Sequence, residues 1–166
     1  QVKIGNVVIG GGNPVAIQSM ANIKTSKIDD VVRQIAELEV LGCDIIRVSV
    51  KDDDDVKALS EIKKRISIPL VADIHFNYKY ALKAIDSGVD KIRINPGNIG
   101  SEKNVEEVAR ALIHSDVAVR VGSNSGSIEK EFLAKYGRSE VSLAESALKN
   151  VAALERYGVD KIVLSA

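Results

Sequence analysis

Two polar side chains share one face of a short apolar strand where that strand runs into a loop. Residues 91–100 read KIRINPGNIG, so polar and apolar residues alternate until Pro96 and Gly97 break the pattern. Side chains two apart on a strand point to the same face, which puts Arg93 beside Asn95. The Gly/Asn loop that follows offers backbone amides close to the guanidinium. This combination predicts a site for an anion.

Polar side chains occupy the same alternate positions on the other candidate strands. Taken strand by strand, these positions are Gln18, Arg47, Ser49, Asp73, His75, Arg93, Asn95, Arg120 and Asn124. The intervening positions are apolar. In a parallel barrel the apolar set faces the outer helices, and the polar set lines the interior toward the mouth at the carboxyl ends of the strands. We therefore expect the polar set to meet in one place.

The charges of this polar set do not cancel. Three arginines, Arg47, Arg93 and Arg120, would repel one another, and the single carboxylate of Asp73 does not balance them. A ligand with phosphate groups is the simplest source of the missing negative charge, because arginine binds phosphate through paired hydrogen bonds. The alternative is a buried ionic layer that serves only the fold.

Asp73 and His75 are the candidate catalytic residues. They lie two apart on one predicted strand, and so on one face. A histidine beside a carboxylate can donate a proton or orient a ligand. A lone histidine at such a position is more often an ordinary buried histidine, and with Asp73 beside it both interpretations of His75 stay open at this point.

Strands and helices alternate along the chain after a small hairpin at residues 2–9. We predict strands near 15–20, 44–50, 69–75, 91–95, 117–124 and 161–165, and the segments GCDIIRV, GVDKIRI and GVDKIVL repeat one strand-entry pattern. This alternation predicts an α/β fold with a parallel sheet, either doubly wound or a barrel. The polar strand ends favour a TIM-type (β/α)8 barrel, here with about six of its eight βα units. Either the chain is a fragment, or something else covers the two open edges of its sheet.

Composition excludes several other classes of protein. Lys+Arg and Asp+Glu are equal at 23 each, so the chain has no excess positive charge of the kind that indicates a nucleic-acid-binding protein. No apolar run reaches the roughly 18–20 residues of a membrane span. Cys43 is the single cysteine, which excludes an internal disulfide and the several thiolates of a metal cluster. We expect a cytoplasmic chain without a metal site of its own.

Two long motifs carry a resemblance to a known family. They are VADIHF at 71–76 and RINPGNIG at 93–100, with shorter matches in VVIGG at 7–11, IQSM at 17–20, IRVSV at 46–50 and GSIEK at 126–130. Together these segments closely resemble the N-terminal barrel domain of the 4-hydroxy-3-methylbut-2-enyl diphosphate synthase family of the non-mevalonate isoprenoid pathway. The resemblance runs from end to end of the chain.

The resemblance implies an iron–sulfur oxidoreductase. Such an enzyme opens the ring of 2-C-methyl-D-erythritol 2,4-cyclodiphosphate reductively and removes water, with electrons passing from a ferredoxin or flavodoxin through a [4Fe-4S] cluster. The resemblance also implies a homodimer at full length, and cluster ligands in a C-terminal domain outside this chain. The chain would then supply the substrate-binding barrel and be inactive alone. The motif positions implied to bind the substrate phosphates are Arg47, Arg93, Asn95, Arg120 and Asn124.

Two other functions fit the same residues. A transferase of the dihydropteroate synthase type also binds a diphosphate ester in a barrel mouth. Asp73 and Asn95 could form the hydrogen bonds that recognise the edge of a pterin ring. A non-catalytic barrel fragment is the second alternative. It predicts that phosphate ligands do not change the stability of the chain.

Overall fold

The computed structural model describes residues 1–122, 126 and 128–165. Within these residues strands and helices alternate as the sequence predicts. The strands are β1 (Val2–Ile4), β2 (Val7–Ile9), β3 (Gln18–Met20), β4 (Ile45–Val50), β5 (Leu70–Ile74), β6 (Lys91–Ile94), β7 (Ala118–Gly122) and β8 (Ile162–Ser165). The helices are α1 (Ile28–Val40), α2 (Asp53–Arg65), α3 (Tyr78–Asp86), α4 (Glu102–Ile113), α5 (Lys130–Tyr136) and α6 (Glu140–Glu155), with one 3₁₀ turn at Pro96–Asn98.

The main sheet has six parallel strands in the order β3-β4-β5-β6-β7-β8. Every strand therefore pairs with its neighbour in sequence, whereas a doubly wound sheet reverses its order at a switch point. The sheet is curled, because Lys91 on β6 reaches Gln18 on β3 across two intervening strands. The predicted barrel architecture is confirmed, as a half-barrel of six strands with an N-terminal hairpin.

The two faces of the sheet divide as the alternation of residues predicts. The outward-facing side chains are buried in the main core between sheet and helices: Ile46, Val48, Ala72, Ile74, Ile92, Ile94, Val119 and Val121. The strand register brings the inward-facing polar residues level with one another, since Asp73 pairs with Ser49 on one side and with Arg93 on the other. Arg93 in turn pairs with Arg120. The curl of the sheet turns this polar face into the interior.

Helix α2 illustrates how the outer layer is specified. The Asp52 side chain caps it by accepting hydrogen bonds from the amides of Asp54 and Asp55 at 3.1 and 3.0 Å. Acids in its first turn and bases in its last turn complement the helix dipole. Asp55 is buried and accepts hydrogen bonds from the Ser26 and Lys51 amides, which joins the loops that follow β3 and β4.

The hairpin β1–β2 closes the end of the half-barrel where the strands begin. Its fully buried Ile4 lies in a small apolar cluster with Ile45, Val71 and Ala118, the inward-facing residues at the strand starts. The hairpin turns at Gly5, where φ is +56° and an added Cβ would lie 2.7 Å from Asp90 Oδ1. The opposite end, where the strands finish, is left as the mouth.

Some strand boundaries differ from those predicted. The strand predicted at 15–20 begins only at Gln18, on an edge of the sheet where Val15 is 93% exposed and Ile17 is 60% exposed. The amide of Ile17 donates a hydrogen bond to the side chain of Asp44 and not to a neighbouring strand. The strand predicted at 117–124 extends from Ala118 to Gly122, and its last two predicted residues lie outside the described ones.

Among the described helices, none combines the length and hydropathy that a membrane crossing requires.

Candidate anion-binding site

Asp73 lies at the centre of the polar interior. Its side chain is 6% exposed, and arginines from the strands on both sides approach it. Arg93 Nη1 lies 3.4 Å from Asp73 Oδ1, and Arg47 Nε lies 3.7 Å from Oδ2. One carboxylate is thus shared between two guanidinium groups, and neither contact has the short, two-point geometry of a strong arginine–carboxylate pair. Both arginines keep hydrogen-bonding capacity for another anion.

Arg120 has no ion pair with a carboxylate among the described residues. Its Nη2 donates a hydrogen bond of 2.8 Å to Ser165 Oγ on β8. Burial, with the added repulsion of Arg47 and Arg93, lowers the pKa of the Arg120 guanidinium. The strand register places Arg120 directly beside Arg93. The structure therefore brings together the three cations that the sequence places on separate strands.

Three buried polar groups in this interior have no hydrogen-bond partner in the part of the chain that the structure describes. The Nε groups of Arg47 and Arg120 and the hydroxyl of Ser49 are buried, and they make no hydrogen bond within the described residues. A buried polar group without a partner costs about 1–3 kcal/mol. Ligand oxygens at this position would remove that cost and supply the missing negative charge. An oxyanion with several acceptor atoms is the chemistry that fits.

Lys91 is a fourth cation of this interior, and the sequence analysis did not include it in the inward-facing polar set. It is 3% exposed, and its Nζ donates a hydrogen bond of 2.9 Å to Gln18 Oε1. Burial, reinforced by Arg120 and Arg47, lowers its pKa to about 8. A signal was present in the sequence, because Lys91 lies two residues before Arg93 and so shares its face.

Gly122 provides the space in which the Arg93 guanidinium lies. A Cβ at this position would come within 2.9 Å of Arg93 Nε and 3.0 Å of Nη2. Real Cβ atoms do not approach that closely, so any larger residue at the end of β7 would displace the guanidinium. The glycine acts on the site through the position of Arg93.

Asn95 organises the loop at the mouth. It is 3% exposed, and its Oδ1 accepts a hydrogen bond of 3.1 Å from the amide of Gly97. Asn150 Oδ1 on α6 accepts from the same amide at 3.0 Å. The loop amide expected to face a ligand is thus already engaged at Gly97. Sequence reasoning missed Asn150, because the 53 residues that separate it from Gly97 leave no local signal.

His75 lies at the outer end of the polar set. Its side chain is 45% exposed, and its Nε2 lies 3.8 Å from Asp73 Oδ2. The imidazole, together with Ser49 and Met20, also lines a cavity of about 790 Å³ that the loop after β3 encloses. Asn124, the remaining predicted site residue, lies outside the described residues. The described site can bind a polyanion beside a solvent-accessible proton-exchanging group.

Comparisons with known proteins identify the family. The family model described as the GcpE TIM-barrel domain matches residues 1–166. The chain belongs to this family. The resemblance found in the two long motifs is thereby confirmed.

Curated relatives match the chain closely, over part of their length. A 4-hydroxy-3-methylbut-2-en-1-yl diphosphate synthase (flavodoxin) from Caldanaerobacter subterraneus subsp. tengcongensis is 52% identical over 166 residues, 99% of this chain and 47% of that protein. One of the same name from Fusobacterium nucleatum subsp. nucleatum is 48% identical over 165 residues, again 99% and 47%. The chain spans about half the length of the curated relatives it matches.

Solved structures with the same fold include dihydropteroate synthases. The enzyme from Vibrio fischeri ES114 superimposes with a TM-score of 0.70 at 13% identity, over 98% of this chain and 64% of that one. The enzyme from Yersinia pestis gives 0.65 at 13% identity, over 98% and 61%. At such low identity the likeness supports the barrel fold alone.

Proposed function

We propose that this chain is the substrate-binding barrel of a 4-hydroxy-3-methylbut-2-en-1-yl diphosphate synthase. The substrate is 2-C-methyl-D-erythritol 2,4-cyclodiphosphate, whose ring is opened reductively with loss of water. The observation that carries the proposal is the excess of buried cations around Asp73, in a chain about 50% identical to enzymes of that name. A cyclic diphosphate supplies both the charge and the acceptor atoms that this interior lacks.

The phosphate groups bind to the arginines in this proposal. Arg47 on β4, Arg93 on β6 and Arg120 on β7 hold the two phosphates. Asp73 on β5 lies between Arg47 and Arg93 and keeps their guanidiniums in place. We assign Asn95 and Asn124 to the same phosphates. Asn95 also holds the loop at Gly97, so it would act both on the ligand and on the shape of the mouth.

Asp73 and His75 are the proposed proton-handling pair. Loss of water requires a proton at the departing oxygen, and the exposed imidazole of His75 can deliver it. The carboxylate of Asp73 lies 3.8 Å from His75 Nε2, which places it to orient the imidazole. Binding, orientation and proton delivery are the tasks of this chain.

Electrons come from elsewhere in the enzyme. A [4Fe-4S] cluster would supply two electrons to the bound substrate, but the residues present cannot ligate it. The chain has one cysteine, and the described residues include no group of three or more metal-binding side chains. We propose that sequence outside this chain holds the cluster, in a cytoplasmic homodimer that receives electrons from a flavodoxin.

Intact mass and iron content of the natural gene product, purified without oxygen, test this proposal. A mass well above 17.9 kDa with about four irons per chain supports it, whereas 17.9 kDa without iron overturns it.

Ligand-dependent stability tests the substrate site directly. At a hundred times its Kd, the cyclodiphosphate should raise the free energy of unfolding by about 2.7 kcal/mol. We expect Arg93→Ala to abolish this gain, because it removes the most buried of the cations that contact Asp73. The measurement is thermal unfolding with and without ligand.

The matched control for that experiment is Arg33→Ala. Arg33 is an exposed arginine on α1, so this variant should keep the full gain. Stabilisation by a pterin in place of the cyclodiphosphate would support a dihydropteroate-synthase-like transferase instead. If no phosphate ligand stabilises the chain, the arginine interior is structural and the proposal is wrong.

A further inference from the structure

Lys91 lies one layer below the arginines, on the side of the hairpin. It precedes Arg93 by two residues on β6, which places it about 7 Å further from the mouth. Its partners in register are Val71 on β5 and Ala118 on β7, and both belong to the apolar cluster beneath the hairpin. The ammonium group therefore has apolar side chains under it and cations above it.

The contacts of Lys91 do not neutralise its charge. Its hydrogen-bond acceptor is the neutral amide of Gln18 on β3, and no carboxylate of the described residues forms an ion pair with it. Arg120 on β7 and Arg47 on β4 are close enough to repel it. Arg93 follows two residues later on the same strand, and Asp73 on β5, the single inward-facing acid of the described strands, contacts Arg93 and Arg47. The hairpin faces this interior with apolar side chains.

We propose that Lys91 is a positioning residue of the diphosphate site and that, in alkaline solution, it gains its proton when the phosphates bind. This inference rests on the proposed function. An arginine keeps its charge across the accessible pH range, so among these four cations only the lysine can change charge. A diphosphate held by Arg47 and Arg120 would offset their repulsion of Lys91 and restore its positive charge. The ligand would then be held from below by a fourth cation.

The pH dependence of binding follows from the depressed pKa. In the free protein the pKa of Lys91 is about 8, because of burial and of Arg120 and Arg47, whereas an ordinary lysine has 10.5. Between these values Lys91 is mostly neutral in the free protein and protonated in the complex. Binding in this window takes up a proton, so affinity falls as pH rises, by up to about tenfold per pH unit.

The cyclodiphosphate itself is the right probe. Each of its phosphorus atoms carries a single, strongly acidic ionisable oxygen, so the charge of the ligand stays constant between about pH 7 and pH 10. A linear diphosphate would change its own charge in that window. The experiment is titration calorimetry of the protein as its gene encodes it, at pH 7, 8, 9 and 10 and in two buffers with different ionisation enthalpies.

Two substitutions separate the charge of Lys91 from its bulk. Lys91→Met cannot be protonated, and we expect affinity at pH 7 to fall tenfold or more, without proton uptake at any pH. Lys91→Arg stays charged, and we expect it to keep the affinity measured at pH 7 and to lose the pH dependence. The matched control is Lys57→Met, an exposed lysine on α2, which should behave as the unmodified protein.

The outcomes distinguish this inference from the proposed function. Uptake of close to one proton at pH 9, absent from both Lys91 variants, supports it. Tight binding with neither pH dependence nor proton uptake overturns the role of Lys91 and leaves the diphosphate site intact. Pterin binding without any binding of the cyclodiphosphate at pH 7 overturns both.

Discussion

Asp73 sets the charge balance of the whole interior. Among the inward-facing residues of the described strands it is the single acid, against the four cations Arg47, Lys91, Arg93 and Arg120. Its two oxygens face different arginines, so it separates the guanidiniums instead of neutralising one of them. Asp73 therefore offsets the repulsion among these cations, and the excess positive charge is what the proposed diphosphate would neutralise.

Asp73→Asn tests this balance. The substitution keeps the size of the side chain but removes its charge, so the four cations then repel one another without compensation. We expect the free energy of unfolding to fall by about 2–3 kcal/mol, below the usual cost of breaking a buried pair because both ion-pair distances are long. Sulfate or diphosphate should restore part of the loss. Urea unfolding at fixed ionic strength measures both effects.

The control for Asp73→Asn is Glu155→Gln, at an exposed acid near the end of α6. We expect a change within about 0.5 kcal/mol and no response to anions. Equal losses in the two variants would mean that Asp73 has no special electrostatic role.

At the scale of elements, the end of β7 governs the position of Arg93. Because Gly122 lies against the guanidinium, Gly122→Ala should push that group away from Asp73. The guanidinium is the mobile end of a long side chain, so we expect a loss of stability below about 1 kcal/mol. We expect the affinity for the cyclodiphosphate to fall at least about tenfold, as for loss of one charge-assisted hydrogen bond.

A double-mutant cycle isolates that effect. If Gly122→Ala acts through Arg93, then adding it to Arg93→Ala should cause no further loss of affinity. Additive losses would contradict this and point to a separate contact between the β7 end and the ligand. Calorimetric titration of the four proteins gives the cycle.

The hairpin covers the interior of the half-barrel at the end where the strands begin. Ile4, the last residue of β1, is fully buried against the starts of β4, β5 and β7. We expect Ile4→Ala to cost about 2–4 kcal/mol by leaving a cavity there. Val40→Ala, at a valine that is 87% exposed, is the control and should change stability by less than about 0.5 kcal/mol. A loss near zero for Ile4→Ala would mean that the hairpin only rests on the barrel.

At the scale of the whole molecule, the half-barrel has two open edges. Strands β3 and β8 each pair with one neighbour, whereas β4 to β7 pair with two. Apolar side chains at these edges are exposed: Ile17 is 60% and Leu164 is 49% exposed. Edges of this kind favour pairing with further strands.

Hydrogen exchange should reveal the open edges in this chain. We expect amides of β3 and β8 to exchange at least about tenfold faster than those of β5 and β6, because strands paired on one side open locally at lower cost. Exchange followed by mass spectrometry or NMR measures the difference. Equal protection in edge and central strands would contradict this expectation and mean that the edges are covered in solution.

Much of this architecture could be predicted from local pattern. Alternation along residues 91–95 placed Arg93 on one face and Ile92 and Ile94 on the other, and the same period on neighbouring strands predicted which side chains meet in the interior. These predictions succeed because the two-residue period of a strand links sequence to direction, and sequential parallel strands bring like positions together.

What lay beyond the sequence depends on contacts between distant segments. The curl of the sheet brings Lys91 to Gln18 across 73 residues and turns a lysine at a strand start into a buried cation. The same holds for Asn150 at the Gly97 amide, and for Gly122 as the space for Arg93. Residue types and spacing determined the half-barrel and the excess positive charge of its mouth. Only the tertiary structure decided which cations one carboxylate holds and that Lys91 is buried beside two arginines, because burial and charge proximity are properties of packed neighbours.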